Sequence, residues 1–179
     1  MRAGVRSREE VRTLIERTVN LKHRTMLTPA YSLGLRLNEV LILRLQAIDS
    51  RRMMLRIGGQ KGRQDRDRAL SGSLLLLIQE QCQQDRPQTC LFEGTKPGEH
   101  YGERSLQHIV RQAAVRAGIL RPVSLYTLRH SCATHLLEAG IDLRHIQESA
   151  TGPGRGSAEL RFTASAASSK PSLAISSDP

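Results

Sequence analysis

A chain of 179 residues that is 39% apolar can fold as one domain with a real core, and 27 Lys plus Arg against 17 Asp plus Glu leave it a net charge of +10. That surplus points to a polyanionic partner, nucleic acid before an anionic membrane: no apolar run approaches the roughly 20 residues of a membrane span, and MRAGVRSREEVR lacks the apolar stretch of a secretory signal. Cys82, Cys90 and Cys132 form no CxxC pair and are odd in number, which argues against a disulfide framework and for reduced thiols in a cytoplasmic protein.

The helical pattern begins with SREEVRTLIERTV, where Ser7 followed three residues later by Glu10 makes a capping box ahead of Val11, Leu14 and Ile15. A second helix is expected through RTMLTPAYSLG, with Pro29 kinking it or delaying its start. A third, LNEVLILRLQAI, turns Val40, Leu43 and Leu45 inward and ends near Asp49. MMLRIGGQKGRQDRDRAL reads as two short strands around a glycine-rich turn, the second strand being the weaker because Asp65 and Asp67 are poor strand formers.

Two helices follow, SGSLLLLIQEQCQQ and ERSLQHIVRQAAVRAG. The latter places Leu106, Ile109, Ala113 and Ala117 on one face and Arg104, His108 and Arg111 on another. A last long helix, LYTLRHSCATHLLEAG, starts at Ser124, carries Leu125, Leu128, Cys132 and Leu136 on its apolar side and stops at Gly140, after which Asp142 caps the short helix LRHIQE. Beyond Glu148 the chain turns to Ser, Ala, Gly and Pro without apolar period, the composition of a disordered tail.

Few of these residues suit metal or hydrolytic chemistry. His130 and His135 stand five apart, about 140° around a helix, and no cysteine or carboxylate completes a zinc set with them. No GxxxxGK[ST] phosphate loop and no GxSxG elbow is present, so no metal, nucleotide or other cofactor is expected. Three basic elements remain. An isolated Arg is usually a solvated charge, but Arg36 follows Gly34 at the entrance to an apolar helix, Lys61 sits at a hairpin tip and Arg129 lies near the start of an amphipathic helix. Such placements suit guanidinium forks gripping phosphate oxygens and an ammonium reaching a leaving group.

GLRLNEV, the glycine-lysine turn, LFEGTKPG and TLRHSCATHLLEAGIDLRHIQE, in that order, resemble the catalytic domain of tyrosine recombinases, the phage-integrase family, over roughly residues 5–148. The resemblance implies an α+β, predominantly helical fold with a small antiparallel sheet carrying the Lys61 hairpin, followed by a disordered tail over 149–179. It implies that Arg36 and Arg129 clamp the scissile DNA phosphate, that Lys61 protonates the leaving 5′ oxygen, and that Glu39 is the acidic residue supporting the site. Arg63 and Arg66 near the lysine, Arg104, His108 and Arg111 on their helix and His130 beside Arg129 are then expected DNA contacts. His135 is expected to line the basic wall or satisfy local hydrogen bonds.

The chain departs from the family pattern at several points. Tyr126 stands in place of the histidine three residues before the second arginine, and a phenol with a pKa near 10 is a poor acid or base at neutral pH; it is a candidate displaced nucleophile, but its proximity to Arg129 fits packing or a hydrogen bond to phosphate better. Gln64 replaces a second hairpin lysine, the Leu-Gly-His segment expected after Glu148 is missing, and no tyrosine follows Tyr126 to act as nucleophile.

The pattern also starts almost at Met1, so the family's separate amino-terminal DNA-clamping domain is expected to be absent. A shift of reading frame at Glu148 is the expected origin of the tail. The expectation is therefore a DNA-binding member of the recombinase family, inactive in strand cleavage by itself. Its partners are double-stranded DNA and an intact recombinase protomer, with no membrane and no small-molecule substrate. The alternative is a helix-turn-helix regulator formed by THLLEAGIDLRHIQ, which leaves Arg36 and Lys61 unexplained.

Overall fold

The capping box at Ser7 forms: its Oγ accepts the Glu10 amide at 3.1 Å while the Glu10 carboxylate accepts the Ser7 amide at 2.9 Å. Helix α1 (Arg8–Glu16) starts there and buries Val11, Leu14 and Ile15. The computed structural model describes residues 6–58, 65–96 and 98–140. The turn carrying Lys61, Arg63 and Gln64, the short helix LRHIQE and the tail over 149–179 lie outside the described residues.

Helix α2 (Leu21–Ser32) begins earlier than expected, capped by Asn20, whose Oδ1 accepts the His23 amide. Pro29 does not delay that start, because it falls within the last turn. Helix α3 (Leu37–Leu41) is much shorter than the predicted helix through Ile48. Beyond it the backbone pairs with a distant segment: the Leu91 amide donates to the Leu43 carbonyl at 2.7 Å and the Leu45 amide to the Thr89 carbonyl at 3.2 Å. Those long-range bonds override local helix propensity and leave a 3-10 turn, Leu45–Ala47, leading into an unexpected strand β1 (Ile48–Asp49). Leu45 is accordingly only half-buried.

Strands β2 (Met54–Ile57) and β3 (Arg66–Ala69) form the expected antiparallel pair, with Leu55 opposite Arg68 and Ile57 opposite Arg66, and β1 completes a three-stranded sheet. Both strands pair over four residues, so β3 is not the weaker one; Asp67 turns outward and meets Arg56 across the pair at 3.4 Å. Helices α4 (Gly72–Asp85), α5 (Glu103–Arg116) and α6 (Leu125–Glu138) match the predicted helices closely.

The fold is thus mostly helical with one small antiparallel sheet. Its core joins the helices through fully buried Leu14, Met26, Leu74, Leu106 and Leu128, around Phe92 from the loop before α5. No helix among the described residues is long and apolar enough to cross a membrane.

Helix α6 starts at the expected cap, the Ser124 Oγ accepting the Thr127 amide at 3.2 Å, and its end is followed by Gly140 in the left-handed region at φ +77. Removing that cap by Ser124→Ala is expected to lower the unfolding free energy by about 1 kcal/mol, measured by urea denaturation.

Candidate functional site

Sequence neighbours of Gly34 build the centre of the site. Gly34 takes φ +60, a conformation that L side chains rarely adopt, and a Cβ there would also face the Cys132 sulfur at 3.8 Å. The chain then extends through Arg36, the N-cap of α3, and Glu39 falls at the third helical position. One Glu39 oxygen accepts the Arg36 amide at 2.7 Å and the other accepts Arg36 Nη1 at 3.1 Å. Glu39 thus caps its own helix by accepting the N-cap amide on a carboxylate that is 9% exposed.

Two further guanidiniums reach the same carboxylate from remote elements. Arg66 on β3 donates Nη2 to Glu39 Oε2 at 2.6 Å, and Arg129 on α6 brings Nη1 to 4.0 Å from that oxygen. Arg129 also donates to the Gly34 carbonyl, which ties α6 to the glycine turn. Three guanidiniums therefore share one buried carboxylate, an arrangement with a surplus of positive charge. Burial and, next, Arg36 push the Arg129 pKa below the ordinary guanidinium value, while Glu39 opposes the shift.

Arg36 and Arg129 are thus brought together, with Arg129 part-exposed and Arg66 buried. Tyr126, one turn before Arg129, is 67% exposed and its ring lies parallel to that of His130 at 6.1 Å. Arg104, His108 and Arg111 stand on the exposed face of α5, where His108 pairs with Gln112 at 2.9 Å. Lys61 and Arg63 are outside the described residues. Among the described residues no group of three His, Cys, Asp or Glu side chains is placed to hold a metal ion.

Sequence reasoning did not single out Arg68. It lies two residues after Arg66 on the same face of β3 and is part-buried, and burial, with Arg66 and Arg129 adding, pulls its pKa to about 10. The period-two alternation of RDRA was the signal that could have found it. The thiol of Cys132, on the neighbouring wall, is pushed up to about 11 by burial and stays protonated at neutral pH.

His135 anchors the back of α6. Burial raises the Tyr31 pKa and lowers that of His135, so the Tyr31 hydroxyl donates to Nδ1 of a neutral imidazole at 2.9 Å. A hydrogen bond with the Arg6 backbone engages the same imidazole and opposes the lowering. The Arg6 amide donates to Ser131 Oγ at 2.9 Å and Arg8 donates to the His135 carbonyl at 2.8 Å, which lays the segment before α1 along α6.

Comparison with known proteins gives a consistent result. The profile described as "Phage integrase family" matches residues 7–150. A putative integrase/recombinase of Sinorhizobium fredii is 39% identical over 145 residues, covering 79% of this chain and 46% of the relative. The tyrosine recombinase XerD of Pseudomonas putida is 34% identical over 137 residues, covering 72% and 45% respectively. The chain spans about half the length of the curated relatives it matches. Among solved structures, XerA recombinase superposes with a TM-score of 0.76 at 21% identity, covering 82% of this chain and 54% of its own. The XerH site-specific recombinase, bound to its difH substrate, superposes with a TM-score of 0.71 at 24% identity, covering 81% of this chain and 46% of its own.

Two stability outcomes follow from the back of α6. As pH falls through the ordinary histidine value of 6.5, the unfolded chain takes up protons at His135 and His23 before the folded chain does, because burial lowers both values in the fold. The unfolding free energy is therefore expected to be higher at about pH 7.5 than at about pH 5.5 in urea titrations. Tyr31→Phe, which leaves the buried Nδ1 without its donor, is expected to cost about 1–3 kcal/mol in the same assay at neutral pH.

Proposed function

The chain belongs to the phage integrase family, and from that membership we propose that it grips duplex DNA through a phosphate seated on Arg36 and Arg129, without cleaving the strand by itself. The observation that supports this reading most is the convergence of Arg36, Arg66 and Arg129 on the single carboxylate of Glu39. One carboxylate gathers three planar cations, and Arg36 and Arg129 reach it from part-exposed positions. The remaining charge suits a phosphodiester, whose non-bridging oxygens match guanidinium forks and whose transition state spreads charge over those oxygens.

In this proposal residues 5–148 form the recombinase-type domain, with 149–179 outside it. Arg36 and Arg129 contact the phosphate, and Arg66, buried against Glu39, supports them through that carboxylate. Lys61 and Arg63 are assigned to the DNA on the grounds of the motif alone. Tyr126, exposed beside Arg129, supplies a phosphate hydrogen bond where the family pattern has a histidine. His130, stacked on it, and Arg104, His108 and Arg111 on the open face of α5 extend the contact along the backbone.

The chain's three tyrosines are Tyr31, Tyr101 and Tyr126, and none follows Arg129, where the family's nucleophile stands. Tyr31 is buried and engaged by His135. In this proposal the tyrosine for strand transfer comes from an intact recombinase protomer, the second partner. The helix-turn-helix alternative leaves the Glu39 cluster without a purpose.

The test is titration of a duplex at several salt concentrations, together with a suicide DNA substrate scored for covalent adduct. Affinity is expected to fall steeply with salt, and Arg36→Ala or Arg129→Ala to lower the log-log salt slope by about 0.9 each. No adduct is expected from the 179-residue chain. Salt-independent binding, or none at low salt, would contradict the DNA reading; an adduct would contradict the non-cleaving one.

A further inference from the structure

The inward face of the sheet carries an unusual pairing. Leu55 and Ile57 of β2 are buried in the core, yet their partners across the ladder are Arg68 and Arg66. Residues two apart on a strand share a face and stand about 7 Å from each other, so β3 aims two guanidiniums toward the same region. Arg66 is matched by Glu39. Arg68 has no such match: among the described residues no carboxylate lies within ion-pair distance of it, and its Nε is buried without a hydrogen-bond partner.

A part-buried guanidinium facing other cations is costly to keep, and apolar residues of similar size are often more stable at such positions. The neighbourhood makes the cost larger. Burial acts first, then Arg66 and Arg129, and the single carboxylate of Glu39 opposes them only weakly. An anion with several acceptor oxygens removes the conflict by offering Arg68 and the part-exposed Arg129 a shared partner, which the protonated thiol of Cys132 does not.

We infer that Arg68 is a further phosphate-binding residue, a guanidinium that joins Arg36 and Arg129 around a tetrahedral oxyanion, beside the Arg66 held by Glu39. The inference rests on the reading that this cluster receives phosphate, and it assigns the role to a residue outside the family motif carried by this chain. In the DNA complex the oxyanion is one backbone phosphate; inorganic phosphate presents the same oxygens without the nucleic acid. Arg68 is then kept at the expense of the free protein's stability and repaid when the anion arrives.

The experiment compares the full chain with Arg68→Leu, Arg68→Gln and Arg36→Ala in two measurements. The first is thermal unfolding with and without inorganic phosphate at constant ionic strength. The wild type is expected to gain stability with phosphate, and Arg68→Leu to unfold at a higher temperature than wild type without phosphate but to lose at least half of the phosphate-dependent gain. Arg68→Gln, which keeps a polar group on the sheet face, is expected to lose the same gain and serves if the leucine variant fails to fold.

The second measurement is duplex binding against salt, where either Arg68 variant is expected to lower the log-log slope by about 0.9. Folded Arg68 variants that keep both the full phosphate gain and the wild-type slope overturn the inference, and if Arg36→Ala lowers the slope in the same experiment the DNA reading survives it. A wild type that gains stability from phosphate through Arg68 yet binds no duplex supports the anion site and removes the DNA reading. A wild type indifferent to both ligands overturns both.

Discussion

One buried carboxylate constrains the rest of this molecule. Glu39 is fixed by the local geometry of α3, where it closes the cap of its own helix, and it then collects Arg36 from that cap, Arg66 from β3 and Arg129 from α6. Those groups come from segments that share no local sequence relation. A carboxylate so little exposed is stabilised by the charged donors around it, and it in turn fixes Arg36 and Arg66 against it. The sheet, the glycine turn and α6 meet at this point. Local capping chemistry thereby becomes a long-range constraint on the fold.

The second requirement is that α6 keep its register, since Arg129 enters the cluster from its first turns. Register is held from both sides of the helix. On one side the Gly34 carbonyl receives Arg129 from a turn that holds Gly34 in the left-handed region. On the other, Tyr31 reaches His135 and residues 6–8 lie along the helix through Ser131 and the His135 carbonyl. Each of these bonds is modest alone, on the order of 1 kcal/mol. Together they determine where a guanidinium sits, the placement on which the proposed phosphate grip depends.

Features set by neighbours in sequence were legible before the structure. Ser7 with Glu10, Ser124 with Thr127 and Gly140 mark their helix ends through contacts spanning three or four residues, while helical spacing of apolar residues located α5 and the glycine-rich turn located the hairpin. The short α3 was not legible, because its end is decided by pairing of residues 43–45 with 89–91. Strand β1 escaped for the same reason, being two residues that exist only against β2. At the site, the motifs named Arg36, Glu39 and Arg129, and geometry brings these together. The burial of Arg66 and the placement of Arg68 depend on which face β3 turns inward, a choice its alternation alone leaves open. Lys61, a motif reading of equal weight, lies outside the described residues.

The central claim is that Glu39 organises cations for a phosphate rather than merely balancing their charge. The most direct test is the duplex affinity of folded Glu39→Gln at fixed ionic strength. Simple charge balance requires tighter binding, since the substitution removes a negative charge from beside the DNA backbone. The organising role requires weaker binding, because Arg36, Arg66 and Arg129 lose the group that holds them in register. Weaker binding supports the account, and unchanged or tighter binding contradicts it.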